Sequence, residues 1–170
     1  HYTDRVENPQ DYPLCGMGGA NVGPEFTQSE YVALAELEQI EKKKENAGKV
    51  AMLSNMVAVL TQLVKDSNRW QKWLHSDEEG LAFEALLPER REWIVQTCCR
   101  YIWQKPEALA ARSLLYANLE RLGIDAEDIV IRRIERAMNK YFVVLPSLIQ
   151  KNRSEQSQTG FFNPFEYICI

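Results

Sequence analysis

The chain has 170 residues, of which 45% are hydrophobic, so it is long enough to bury one core and we expect one domain. Its formal net charge of −4 argues against a nucleic-acid partner, because binding to nucleic acid needs a basic surface. No apolar run approaches the roughly 20 residues of a membrane span, and no signal-peptide pattern is present. We therefore expect a cytoplasmic protein that binds neither membrane nor nucleic acid.

The four cysteines are Cys15, Cys98, Cys99 and Cys169. No CxxC spacing occurs, so the sequence suggests neither a zinc site nor a disulfide framework, and we expect reduced thiols. The chain opens at His1 without an initiator Met. We interpret it as the C-terminal portion of something longer.

The first 26 residues are rich in proline and glycine and predict a loop, with at most a short strand near Asn21–Val22. A capping box, Thr27 to Glu30, predicts a helix start. The apolar stripe that follows reaches about Glu45, and Gly48 ends the helix. A second helix is predicted over about 50–65, with a single apolar face.

Further helical segments follow, each opened by a capping residue or a proline. They are a short segment after Ser67 that contains Trp70 and Trp73, one from Ser76 to Leu87, one from Pro88 to Ile102, one from Pro106 to Leu122 and one after Asp125 that ends before Pro146. The sequence thus predicts seven helical segments and almost no strand. We expect Trp70, Trp73, Trp93 and Trp103 to be mostly buried. A polar stretch, 151–160, predicts a mobile linker.

The loop "GMGGANVG", residues 16–23, is neither a Walker A loop nor a dinucleotide-binding fingerprint. Two interpretations remain. The loop is either a tight structural turn, or it lies before a helix N-terminus whose free amides and dipole favour a phosphate or a sugar. Glu25 argues against the second, because its charge repels an anion.

The two histidines differ in context. His75 stands among Trp73, Leu74 and Ser76, and a surface or core histidine is the favoured interpretation. His1, with Thr3 and Asp4, would place a metal ligand, a hydroxyl and a carboxylate together if a buried strand ended there. No Ser-His or Cys-His pattern is present, so this chain alone is not expected to complete a catalytic site.

Several segments in order resemble one family. The run "HYTDRVENPQDYPLCGMGGANVGPEFT" and the acidic "EYVALAELEQIE" that soon follows are similar to the closing barrel region of the class II tagatose-bisphosphate aldolase non-catalytic subunits, the GatZ/KbaZ family. The segments "DSNRWQKWLHSDEE", "CRYIWQKPE" and "RRIERAMNKYF" resemble that family's tail. The likeness runs from His1 to Phe142, and residues 146–170 match nothing in the family.

The resemblance implies the end of a (β/α)8 barrel followed by a helical extension. Residues 1–48 would be the last strand region and last barrel helix, 49–145 the extension, and 146–170 an irregular tail. In that frame the site-face residues include a metal ligand, His1, a catalytic Asp4 and the substrate-binding Thr3, Gly18, Gly19, Asn21 and Gly23. The metal would be a divalent cation such as Zn, and the ligand a sugar or sugar phosphate.

The resemblance leaves two functions open. The parent protein is either a helper subunit that stabilises a catalytic class II aldolase of ketohexose metabolism, or a metal-dependent epimerase acting at C4 of a ketose or ketohexuronate. A third interpretation, an inert helical domain, needs no ligand at all.

Overall fold

The computed structural model describes residues 8, 11 and 24–142. The strand predicted near Asn21–Val22, the 151–160 linker and the 146–170 tail lie outside these residues. Within them the chain is helical and contains no β-strand. The α-helices are α1 (Pro24–Asn46), α2 (Met56–Asp66), α3 (Pro88–Cys98), α4 (Pro106–Glu120) and α5 (Ala126–Phe142), and short 3-10 helices span Arg69–Trp73, Phe83–Ala85 and Cys99–Tyr101.

Helix α1 begins three residues before the predicted capping box. Pro24 occupies its start, a position where the missing N–H of proline costs no hydrogen bond. Thr27 therefore lies inside the helix and is buried, so the capping-box prediction is wrong. The predicted end is confirmed: Gly48 has a φ of +70°, and its N–H donates to the Glu45 carbonyl while Lys49 N–H donates to the Lys44 carbonyl.

Helix α2 begins at Met56, six residues later than predicted. The delay has a physical cause, because Ser54 donates its backbone N–H to the side chain of Glu41 instead of to a helical carbonyl. Asn55 then adopts a left-handed conformation with φ 51°, which asparagine tolerates better than most residues. The stretch 50–55 is thus a loop held down by a carboxylate.

The segment 76–87 is mostly turns and not the helix that its sequence predicts. Glu78 folds back, accepting the His75 backbone N–H at 2.9 Å and the Arg90 Nε at 2.9 Å. Gly80 has a φ of +81° and lies in a turn in which Leu81 donates its N–H to the Glu78 carbonyl. The predicted short segment before it is confirmed as the 3-10 helix Arg69–Trp73, where the Ser67 hydroxyl oxygen accepts the Arg69 N–H.

The end of α4 and the start of α5 agree with the sequence prediction. Gly123, with φ +76°, closes α4 by donating its N–H to the Glu120 carbonyl. The Asp125 carboxylate accepts the N–H of Asp128 at 2.9 Å and so caps α5. The inward face of α5 carries Ala126, Val130 and Ala137, whereas three large apolar residues of the same helix are exposed, namely Ile129, Ile131 and Phe142.

Helix α1 is the centre of the structure. Its 23 residues make it about 35 Å long, and it packs against α2, α3, α4 and α5. Leu34 and Leu37 of α1 share one buried cluster with Leu60 of α2, Ile94 of α3 and Leu115 of α4. Helix α5 runs antiparallel to α1, because Arg133 contacts Glu36 and Lys140 contacts Glu25. The helix expected to close a barrel therefore also forms the core of the expected extension.

The four tryptophans are not equally buried. Trp70 is 6% exposed and packs edge-on against Phe83, with ring centroids 5.3 Å apart. The other three, Trp73, Trp93 and Trp103, are half-buried at the edge of the core. The predicted burial is thus confirmed fully for Trp70 alone.

None of the helices described between residues 24 and 142 combines the length and the apolar character needed to cross a bilayer.

Candidate functional site

The site residues predicted from sequence all precede the described part of the chain. His1, Thr3, Asp4, Gly18, Gly19, Asn21 and Gly23 lie outside it, so the assigned roles of metal ligand, catalytic residue and substrate-binding residues stay predictions. Within residues 24–142, no three His, Cys, Asp or Glu side chains converge in a way that could hold a metal ion. What the structure does describe is the surface next to the end of the glycine-rich loop, at the first turns of α1.

The first turn of α1 carries a neutralised carboxylate. Glu25 is 5% exposed, and its Oε1 accepts a hydrogen bond from Lys140 Nζ at 2.7 Å. Its other oxygen accepts the hydroxyl of Tyr141, whose ring also packs edge-on against Phe26. The sequence argument that Glu25 repels an anion therefore loses force, because Lys140 lies at contact distance and balances its charge.

A groove of about 430 Å³ lies between the first half of α1 and α5. One wall presents Ser29 and Val32 of α1 beside Glu25. The other wall is basic, with side chains four residues apart on one face of α5; the α5 lining consists of Ile129, Arg132, Arg133, Arg136, Ala137 and Lys140. A groove of this size can admit a small phosphorylated sugar.

Three of the four cations along the groove are paired with carboxylates. Lys140 contacts Glu25, Arg133 Nη1 lies 2.5 Å from Glu36, and Arg132 Nε lies 2.7 Å from Asp128. Arg136 differs from them, because no carboxylate of residues 24–142 forms an ion pair with it. Its guanidinium can hold a phosphate or carboxylate through two parallel hydrogen bonds. The groove is thus a candidate anion site with Arg136 as its available donor.

Sequence reasoning did not single out these arginines as site residues. The segment "RRIERAMNKYF" contributes to the family resemblance but matches no binding motif. The signal that could have found them is the spacing of Arg132, Arg136 and Lys140, which places three cations in one stripe along a helix. The sequence does not show which helix packs opposite that stripe.

His75 is exposed, in a turn, and the surface interpretation is confirmed for it. The cysteines within the described range, Cys98 and Cys99, are both buried and unpaired. Burial raises the pKa of the Cys98 thiol to about 11 and raises that of Cys99 well above its usual range. Because the thiolate is the reactive form, neither thiol is poised to act as a nucleophile at neutral pH.

The described fold and groove define a helical unit with a basic groove at the N-terminal end of its central helix. Comparison of the chain with protein-family models, with curated protein sequences and with solved structures finds no match.

Proposed function

We propose that this chain is the C-terminal portion of a helper subunit, similar to the non-catalytic subunits of class II tagatose-bisphosphate aldolase. The parent protein stabilises a catalytic class II aldolase that cleaves a ketohexose bisphosphate into two triose phosphates, in tagatose- or galactitol-type carbohydrate metabolism. The proposal assigns the parent to the cytoplasm. It treats α1 as the last helix of a (β/α)8 barrel and the helices after it as an extension.

One observation supports a parent protein that handles a sugar phosphate. The basic groove lies against Glu25 and Ser29, in the first turns of the helix that directly follows the glycine-rich loop. In a barrel, the loop that precedes a helix lies at the face where substrates bind. A groove with an available Arg136 at that end of the helix suits a sugar phosphate held between the loop and α5.

The alternative within the same family is a metal-dependent epimerase that acts at C4 of a ketose or ketohexuronate. The cluster of His1, Thr3 and Asp4 favours it, because a histidine and a carboxylate beside a hydroxyl could hold a divalent metal such as Zn near a sugar. The remaining ligands would come from residues before His1. The groove would bind a sugar in either function. The difference is that an epimerase carries out the reaction itself, whereas a helper subunit leaves it to the partner aldolase.

Mixing purified full-length parent with a class II aldolase separates the two functions. A helper restores or prolongs cleavage of tagatose bisphosphate only in the mixture, and it does nothing to a free ketose by itself. An epimerase converts the free ketose alone, loses that activity with a chelator and recovers it with Zn²⁺. If neither activity appears, the inert-domain interpretation replaces both.

The groove is tested in the same assay with Arg136→Gln. Loss of the Arg136 charge weakens binding of the sugar bisphosphate by about tenfold, because a charge-assisted hydrogen bond contributes about 1.5 kcal/mol or more. Lys49→Gln is the matched control, since Lys49 is an exposed cation in the turn after α1 and away from the groove. Equal effects of the two substitutions would show that the groove does not bind the sugar.

A further inference from the structure

Two of the motifs that are separate in sequence meet in the structure. The segment "NRWQKW" supplies Arg69 and Lys72, and the segment "CRY" supplies Arg100 and Tyr101, from two different 3-10 helices. All three cations surround the same phenol ring. The ring centroid lies 4.6 Å from Lys72 Nζ, 5.1 Å from Arg69 Cζ and 4.8 Å from Arg100 Cζ.

The three cations have no carboxylate partner among residues 24–142. No acidic side chain between residues 24 and 142 forms an ion pair with Arg69, Lys72 or Arg100, in contrast to three of the four cations of the α1–α5 groove. Their distances to one centroid place them within about one Debye length of each other, about 10 Å at about 0.1 M salt. Each therefore repels the other two, and the ring quadrupole offsets only part of that repulsion.

We propose that Arg69, Lys72 and Arg100 form an oxyanion-binding site for a phosphate group, with Tyr101 as its floor. A phosphate carries enough charge and enough acceptor oxygens to bind several cations at once, and guanidinium groups match its geometry. Arg69 and Lys72 are exposed, so the site is open to a ligand from solvent. The site lies on the two 3-10 helices and not in the α1–α5 groove. This proposal is independent of the proposed aldolase-related function.

Two further observations agree with this site. Arg100 Nη2 donates to the Tyr101 hydroxyl at 2.7 Å, which fixes the guanidinium beside the ring, and its Nε is a buried donor without a partner within residues 24–142. Burial opposes ionisation of Tyr101, but hydrogen bonds and charges from Lys72 and Arg100 outweigh it, and the pKa of the phenol lies below its ordinary value. A positive local potential of this kind attracts an anion.

The site is tested by titrating the full chain with inorganic phosphate at constant ionic strength, with chloride as the balancing anion. The indole N–H of Trp73 is the reporter in NMR spectra, because the Arg100 guanidinium lies 5.2 Å from that ring. Phosphate is expected to shift this signal saturably. Lys72→Gln and Arg69→Gln each weaken the apparent affinity about fivefold, the effect of removing one solvent-exposed ionic contact.

Lys49→Gln is the control for charge alone, and Arg136→Gln is the control for the groove. Both are expected to leave the Trp73 titration within about twofold of the unsubstituted chain. A Trp73 signal that phosphate does not move would overturn the site. So would a loss of affinity in Lys49→Gln as large as that in Lys72→Gln, or a response that depends on Arg136 alone.

Discussion

Carboxylates occupy two different surroundings along α1. Near its C-terminal end, Glu38 and Glu41 are 1% and 0% exposed, and both accept hydrogen bonds from residues 54–57. Near the middle, Glu36 is exposed and faces Arg133 of α5 across the rim of the groove. The same residue type therefore organises the interior in one place and balances surface charge in another.

The interior carboxylates fix the connection from α1 to α2. Glu41 accepts the Ser54 hydroxyl at 2.7 Å and the Asn118 side-chain amide at 2.6 Å, and Ser54 also donates its backbone N–H. Glu38 accepts the N–H of Val57, in the first turn of α2, at 3.2 Å, where a negative charge is favoured by the helix dipole. These donors replace the water that the two carboxylates lose on burial, and they thereby offset the free-energy cost of burying a charge.

The largest effect is expected from Glu41→Ala. It removes the shared acceptor, so the buried donors of Ser54 lose their partner and Asn118 keeps only the Met52 carbonyl. The free energy of unfolding should fall by about 3–5 kcal/mol, the cost of several unsatisfied buried donors. Chemical denaturation followed by circular dichroism measures the loss. Glu36→Ala on the same helix should cost under about 0.5 kcal/mol, because exposed ion pairs contribute little. Equal losses of unfolding free energy in Glu41→Ala and Glu36→Ala would show that the interior and exposed carboxylates do not differ in their contribution to stability.

The tryptophans extend the comparison of buried and partly exposed positions to apolar side chains. Trp70→Ala should lower the free energy of unfolding by about 3–5 kcal/mol, because it empties a buried ring site against Phe83. Trp103 is half-buried, with the Arg112 guanidinium 5.0 Å above its ring, and its truncation should cost about half as much. The comparison would fail if Trp103→Ala proved as costly as Trp70→Ala in the same denaturation series.

Thiol chemistry probes the interior without unfolding it. In a variant with Cys15→Ser and Cys169→Ser, only the buried pair remains. Because the pKa of Cys98 is raised from 9.0 to about 11, its thiolate fraction at pH 8 is about a hundredfold below that of an ordinary thiol. Labelling by a disulfide reagent should be slower by at least that factor, and it should accelerate about tenfold per pH unit until about pH 11. Rapid labelling of the folded protein at pH 8 would contradict the burial of these side chains.

The smallest effect is expected at the exposed start of α5. Asp125→Ala removes the carboxylate that accepts the Asp128 N–H and should cost about 1 kcal/mol of unfolding free energy. Glu135→Ala, an exposed position within the same helix, is the matched control with an expected change under about 0.5 kcal/mol. A cap variant as stable as this control would mean that Asp125 does not anchor the helix.

Local chemistry explains which fold predictions succeeded. Gly48 and Gly123 adopt the left-handed backbone that ends a helix, and Pro88 and Pro106 stand at helix starts, so single residues fixed these boundaries. The start of α2 and the 76–87 segment were missed because distant partners compete with helical hydrogen bonds there. Glu41 holds Ser54, and Arg90 holds Glu78, and neither pairing has a sequence pattern.

The sequence by itself determined that this protein is helical and where most helices end, because those features depend on hydrophobic spacing and on residues within one turn of each other. The tertiary structure alone decided which charges far apart in sequence neutralise one another, whereas pairs four residues apart on one helix, such as Arg132 and Asp128, follow from spacing. Arg133 meets Glu36 at a separation of 97 residues, whereas Arg69, Lys72 and Arg100 meet around Tyr101 with no carboxylate of residues 24–142 paired to them. Both outcomes depend on how helices pack side by side, since electrostatic interaction falls with distance in space and not with separation along the chain.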